Sequence, residues 1–381
     1  MSKIEELIQQ YCPEGVEFVK IGDLAQVGTG SSNGNEAEEN GEYPFFVRSQ
    51  TIKRKNNYEY DEEAIIIPGE GGIGDIFHYI NGKYALHQRV YRIHFTSNKV
   101  NVRFAYFFMM SSFKEFIMMK AVSATVTSIR KPMIEGFEIP IPPLPIQEEI
   151  VRILDTFTEL QAELQAELQA RQLQYQYYRD QLFAFEGRKD VEWKKLGEVC
   201  EYSKDRIGSQ ELNENNYVSV ENLLQNRCGK TISCCVPTTG NWIRFEKGNV
   251  LIGNIRPYLK KIWLADRTGG TNGDVLCVKI KKELEHVISP NFLFQLLASD
   301  DFFAYDMNNA KGAKMPRGDK NAILNYLVPI PSFEEQKKIA NILDRFDSLV
   351  NDLSQGLPAE IEARKQQYEY YRDKFLTFKR K

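Results

Sequence analysis

The chain has 381 residues, 42% of them hydrophobic and 27% charged, with a net charge of −3. That length suits two or three domains with cores of their own, and the mild acidity excludes a protein that holds nucleic acid by bulk positive charge, so any such role falls to local patches. The opening MSKIEELIQQYCPEG lacks a signal pattern and no run approaches the roughly 20 apolar residues of a membrane span, so a cytoplasmic chain with no membrane partner is expected.

In chain order, β-type runs fall at 17–21, 43–47, 64–67 and 90–95, separated by the polar stretch GTGSSNGN at 28–35 and by a hairpin turn predicted at Asn81-Gly82. An apolar helix is predicted at 103–119, and the proline-rich stretch after 138 stays extended until the chain reaches Gln147. From there Ile150, Ile153, Leu154, Phe157, Leu160, Leu164 and Leu168 recur at spacings of three and four, and Tyr175, Tyr178 and Leu182 extend a helix of about 40 residues. The same order then returns: strands at 217–220, 250–255 and 275–280, a helix at 291–304, prolines, and helices at 334–354 and 358–377 broken by Gly356-Leu357-Pro358.

The return is a duplication. IPIPPLPIQEEIVRILDTF at 139–157 matches VPIPSFEEQKKIANILDRF at 328–346, 189 residues later, and QYQYYRDQLFAF at 174–185 matches QYEYYRDKFLTF at 367–378, 193 residues later. A period this long excludes a solenoid, whose unit is about 20–50 residues, and points to two similar α+β domains, each with a mixed sheet and each followed by a helical connector. The apolar stripe of each connector needs a partner, and the simplest is the other connector in an antiparallel coiled coil, with pseudo-twofold symmetry overall. The expected divisions are 1–145 and 188–333 for the domains and 146–187 and 334–381 for the helical regions.

No catalytic apparatus emerges. Gly69-Glu70-Gly71-Gly72-Ile73-Gly74 matches the dinucleotide fingerprint in letters, yet strand-like DIFHYINGKYALHQ follows where a long helix is required. Gly229-Lys230-Thr231 lacks the glycine of a phosphate loop, there being Leu224 in its place, and His78, His87 and His94 have no ligand spacing, so neither a nucleotide nor a metal site is expected. Six cysteines at 12, 200, 228, 234, 235 and 277 contain no CxxC pair, and free buried thiols are the expectation.

Polar and basic loops remain. In the first copy they carry Arg48, Gln50, Lys53, Arg54, Gly71, Thr125, Thr127 and Arg130. In the second they carry Asn222, Arg256, Tyr258, Lys260, Lys311, Lys314 and Arg317. These side chains suit base edges and phosphates, and their recurrence at comparable places in both copies makes the groups candidate DNA-facing elements.

With its two IPxP…ILD blocks, its two QYxYYRDxxxxF blocks and the opening YCPEGVEFVKIGDL at 11–24, the chain resembles the specificity subunit of type I restriction-modification systems over essentially its whole length. The resemblance implies two target recognition domains that read the halves of an asymmetric double-stranded DNA target across a nonspecific spacer. It implies two methyltransferase subunits docked on the helices, here through Ile150, Leu154, Tyr178, Ile339, Leu343 and Tyr371, with restriction (translocase) subunits joining them. It also implies a non-catalytic subunit, with S-adenosylmethionine, ATP and Mg used only by the partners. A stand-alone DNA-binding regulator is the alternative, and a chain that cleaves or methylates DNA itself is disfavoured by the missing motifs. One departure from the repeat is ELQAELQAELQA at 159–170, three tetrads that the second copy lacks. Each tetrad adds about 6 Å to a helix and turns its end by about 40° past a full turn, near the roughly 35° of one base pair, which suggests a ruler for the spacer.

Overall fold

The computed structural model describes residues 3–120, 128–351 and 356–381. The chain divides into two compact units, one made of 1–162 together with 363–381 and the other of 163–362. The first therefore joins the two ends of the sequence, and each unit contains one domain with parts of both helical regions.

In the first unit six strands lie in the order Ala25–Thr29, Val90–Phe95, Tyr60–Pro68, His78–Leu86, Tyr43–Phe46 and Lys53–Lys55. All pairs are antiparallel except that of Tyr43–Phe46 with His78–Leu86, so the sheet is mixed. The run Ala64–Ile67 has no polar alternation because both faces of this inner strand are covered. Ile65 and Ile67 meet Phe104, Phe107 and Phe113 of the helix Val102–Lys120, while Ala64 and Ile66 face Phe46, Tyr84 and Leu86. The hairpin predicted at Asn81-Gly82 does not form: His78–Leu86 is one strand, with Asn81 opposite Glu63 and Gly82 opposite Glu62. A tight primed turn needs positive φ at both residues, and only Gly82 has it, at 127°.

The second unit keeps the inner order with Cys200–Tyr202, Val275–Ile280, Val250–Gly253 and Ile262–Leu264. Its outer strands, Arg206–Gly208, Asn241–Phe245, Gly269–Thr271 and Tyr217–Val218, form a separate four-stranded sheet. The single helix predicted at 291–304 is two, Pro290–Leu297 and Asp300–Asn308. Ser299 divides them, its hydroxyl accepting from the Phe302 N–H at 3.1 Å with Asp300 and Asp301 in the turn that follows.

Both units close alike. Phe18–Lys20 pairs with Glu138–Pro140, and Glu192–Lys195 pairs with Leu327–Ile330, two-stranded ribbons that tolerate the missing N–H of Pro140 and Pro329. Past each ribbon the helices begin at Leu144 and Phe333, and a glutamine with no exposed surface sits on that first turn. Leu144 lies three residues before the expected start at Gln147, because proline is tolerated in a first turn. Gln147 Oε1 accepts the Asn101 N–H at 2.8 Å, and its Nε2 donates to the carbonyls of Lys99 and Pro142 at 2.8 and 2.7 Å. Gln336 does the same with the Ser289 N–H at 2.9 Å and the carbonyls of Val287 and Pro331 at 2.8 and 2.9 Å. Two turns on, Asp155 accepts from Arg103 and Asp344 from Asn291 and Gln295.

The helical regions are Leu144–Leu182, 39 residues without a break at 156–159, and the pair Phe333–Asn351 and Leu357–Leu376. In the first unit Phe157 stacks on Tyr371 at 5.6 Å, and Ile150 and Leu154 share a core with Phe375 and Leu376. In the second, Phe346 stacks on Tyr178 at 5.5 Å and on Tyr175 at 6.0 Å, while Ile339 and Leu343 share a core with Tyr175 and Phe185. In both cases rising numbers on one helix meet falling numbers on the other, which is the expected antiparallel pairing of the helical regions. The last residues complete the first unit: Val16 N–H donates to the Lys379 carbonyl at 2.8 Å and Lys381 N–H to the Val16 carbonyl at 3.1 Å.

Gln147→Ala strands one N–H and two carbonyls and should cost about 2–4 kcal/mol. In denaturant unfolding the loss should appear in the transition of the first unit, and Gln336→Ala should move that of the second; equal effects of both changes on one transition would contradict separate clamps.

Candidate nucleic-acid interface

In the first domain the loop after Tyr43–Phe46 and the glycine-rich turn after Tyr60–Pro68 flank one cleft of about 500 Å³, which Arg48, Ser49, Lys53, Gly71 and His87 line. Gly71, Gly72 and Gly74 all have positive φ, at 72°, 55° and 72°, so the turn is tight backbone, and a strand follows it in place of the helix a nucleotide cradle requires. Glu70 at its tip takes Arg48 at 3.2 Å and Arg89 at 2.8 Å, and these guanidiniums hold its carboxyl below the usual range, Arg89 first. Ile129 N–H donates to the Gly69 carbonyl at 2.8 Å, which sets Arg130 beside Arg89 and Gln88 around a second small cleft. Arg48, Gln50, Lys53 and Arg130 are all exposed.

Arg54 differs. Its guanidinium donates to the carbonyls of Gly41 at 2.6 Å and Glu42 at 2.5 Å, so it ties down its own loop. Thr125 and Thr127 lie outside the described residues. Arg89 escaped the sequence reading; the signal was the three-residue link His87-Gln88-Arg89 between two strands, short enough to project whatever it carries.

In the second domain Arg256 and Lys260 bracket the turn Pro257–Leu259, both left-handed at φ 54° and 50°. Arg256 N–H donates to the Pro316 carbonyl at 2.7 Å, and Arg317 bridges in β fashion to Ile255 and to Lys311. The pre-proline loop is thereby laid along the end of the central strand, and Arg256 and Met315 line a cleft of about 550 Å³. Arg317 pairs with Asp274 at 3.3 Å and Lys311 pairs with Asp319, while Arg256, Lys311, Lys314 and Arg317 are exposed and Tyr258 is half exposed.

Lys260 and Asn222 are held by internal contacts, although Asn222 lines the same cleft. Lys260 Nζ lies 2.6 Å from Asp300, which also pairs with Arg227, and the three fasten the turn to the helix Asp300–Asn308. Asn222 is buried: its Oδ1 accepts the Ser219 N–H at 2.6 Å and its Nδ2 donates to the carbonyls of Tyr217 and Thr231 at 3.3 and 3.1 Å. It staples a loop.

The residues expected to dock partners also need correction. Ile150, Leu154, Ile339 and Leu343 are buried in the chain's own cores and offer nothing to a second protein. Among the described residues of the helical regions the most exposed aromatics are Tyr177 and Tyr370, each 61% accessible and each edge-on to the next tyrosine, Tyr178 (itself exposed) and Tyr371, at 5.6 and 5.3 Å. Both doublets occupy the same place in the duplicated block. The cysteines likewise divide: Cys12, Cys200 and Cys277 are buried, Cys228 is half-buried, and Cys234 and Cys235 are exposed, contrary to six buried thiols.

Two α+β domains of one design, each presenting arginine- and lysine-bearing loops and each joined to antiparallel helices, define a duplicated chain with two separate basic loop faces. The chain belongs to the family described as type I restriction modification DNA specificity domain, which matches residues 13–171 and 188–363. It is 30% identical over 264 residues to the type I restriction enzyme EcoR124I/EcoR124II specificity subunit of Escherichia coli, a match covering 63% of each chain. It is 22% identical over 387 residues to the EcoDI specificity subunit of the same species, covering 87% of this chain and 81% of that one. In fold it is similar to the S subunit of a type I restriction-modification system from M. genitalium, with a TM-score of 0.65, 16% identity and coverage of 95% and 96%.

Arg256→Ala should lower affinity for target DNA by about 1–3 kcal/mol if it reads a base edge, with the melting temperature unchanged. Lys260→Ala should do the reverse, lowering the melting temperature and leaving the salt slope of binding intact. Anisotropy titrations and thermal denaturation of the two variants separate these outcomes.

Proposed function

We propose that this chain gives a type I restriction-modification complex its DNA target, with the first domain reading one half-site, the second reading the other, and the antiparallel helices holding the spacing between them. The observation that carries this reading is the division of likeness within the duplication. The motif blocks at the two ends of each helical region and the glutamine clamp recur in both copies, whereas the loops that carry Arg48 and Arg256 do not. A shared frame with two independently varied readers suits an asymmetric target.

The chain itself performs no chemistry on this reading. Two methyltransferase subunits dock on it, one at the Tyr177–Tyr178 doublet and one at Tyr370–Tyr371, since tyrosine combines large apolar area with a polar tip and favours interfaces. Restriction subunits join that core, and the partners use S-adenosylmethionine, ATP and Mg. None of the described helices is long and apolar enough to cross a membrane. The family membership favours this account over a stand-alone regulator, whose helices would serve dimerisation alone.

Two measurements test it. Co-expressed with its methyltransferase, the chain should bind two copies by native mass spectrometry. Tyr177→Ser or Tyr370→Ser should leave mainly one, whereas unchanged occupancy would place docking elsewhere. The tetrads at 159–170 lie within the unbroken helix Leu144–Leu182, so deleting 159–162 shortens it by about 6 Å. The spacer of the methylated sites should contract by one or two base pairs, and an unchanged spacer would refute the ruler.

A further inference from the structure

Both domains fasten the segment before the proline stretch to the end of the central strand through a comparable backbone bond. In the first, Ile129 N–H donates to the Gly69 carbonyl at 2.8 Å; in the second, Gly318 N–H donates to the Asn254 carbonyl at 3.1 Å. The first domain seals this joint with a buried isoleucine, Ile129. The second places a glycine there and surrounds it with polar atoms. A methyl group at Gly318 would collide with Asp306 Oδ1 and stand 2.8 Å from Asn254 Oδ1.

Asp306 has no exposed surface and Asn254 is nearly as buried. Neither carboxyl oxygen of Asp306, nor Oδ1 of Asn254, has a hydrogen-bond partner among the described residues. Buried acceptors without a donor around one glycine are costly, because each loses its water for nothing and an ionised carboxylate loses most. One proton lowers the cost: a neutral Asp306 becomes a donor, and Asn254 Oδ1 is an unpartnered acceptor beside the same glycine.

We propose that Asp306 is a positioning residue for the second recognition domain: held as the neutral acid, it shares its proton with Asn254 and so locks the loop 311–318 against the strand end that carries Arg256. The loop bears Lys311, Lys314 and Arg317, and its Pro316 carbonyl fixes the Arg256 backbone. Neighbouring charges do not supply an alternative partner. Asp319 is paired with Lys311, Arg317 with Asp274 and Lys260 with Asp300, and the Arg256 side chain is exposed. Tyr202 on the adjacent strand donates its hydroxyl to the Lys320 carbonyl at 2.9 Å. Burial alone pushes the Asp306 carboxyl up to about 6. Because that value lies above the unfolded one, the stabilisation is full in acid, below the ordinary carboxylate range, and is lost as pH rises through about 6.

The inference rests on the second domain facing DNA, and the test separates the two claims. The full chain in complex with its methyltransferase is compared with Asp306→Asn and Asp306→Ala from pH 5 to 8.5. Infrared difference spectra should show a protonated-carboxyl band in the wild type that titrates near neutrality and is absent from Asp306→Asn. The wild-type melting temperature should fall over that interval, and that of Asp306→Asn should not, since its amide donates to Asn254 at every pH. Affinity for target DNA should follow the same pattern, with Asp306→Ala weaker by about tenfold even in acid. A carboxyl ionised throughout, or Asp306→Asn as weak as Asp306→Ala, would overturn the proton-sharing pair. Equal DNA affinity of all three proteins would overturn the positioning role while leaving DNA recognition intact, and a wild-type complex with no target preference would instead refute the reading of the domain.

Discussion

The structure depends on a buried side-chain amide used twice. Where a proline-rich strand turns into a helix, backbone groups on either side lack ladder partners, because proline removes donors and the first helical turn has none of its own. At both places where this chain makes that transition, a glutamine on the first helical turn supplies the missing bonds, one accepted and two donated, to the domain it leaves. Because the amide is fully buried, each bond is obligatory. Helix direction is thereby fixed relative to each domain before any packing between helices is considered.

From those fixed starts the aromatic pairs follow. Phe157 and Phe346 occupy the same repeat position, and so do Tyr371 and Tyr178, so the chain makes the same stack twice by crossing its copies. The beginning of the first helical region serves the first domain with the end of the second region, and the reverse holds in the other unit. Partners for the apolar stripes thus come from opposite copies, and residues near 16 and near 380 become neighbours without being linked. Within such a frame the loops can change freely, since neither Arg48 nor Arg256 contributes a side chain to the cores.

What was legible in the sequence was periodic or duplicated. The helix of about 40 residues, a counterpart in two segments, and the central strand runs at 64–67, 90–95, 250–253 and 275–280 were readable because local rules decide them. What was not legible turned on partners far along the chain. Asn81-Gly82 is a turn by local preference and a strand because seven residues, Tyr60–Ile66, lie opposite His78–Tyr84. Lys260 and Asn222 look like readers until Asp300 and the carbonyls of Tyr217 and Thr231 claim them. The loop groups around Arg48, Arg130, Arg256 and Arg317 did converge on exposed clefts, yet nothing in one sequence separates a solvated arginine from one aimed at a base.

The central claim is that one chain reads two half-sites at a distance set by its own helices. Methylome sequencing of cells that express the wild-type chain with its methyltransferase tests it most directly. The account predicts a single asymmetric motif whose two specified halves are separated by a spacer of fixed length and free sequence. A contiguous motif, or two half-sites with a variable gap, would contradict it.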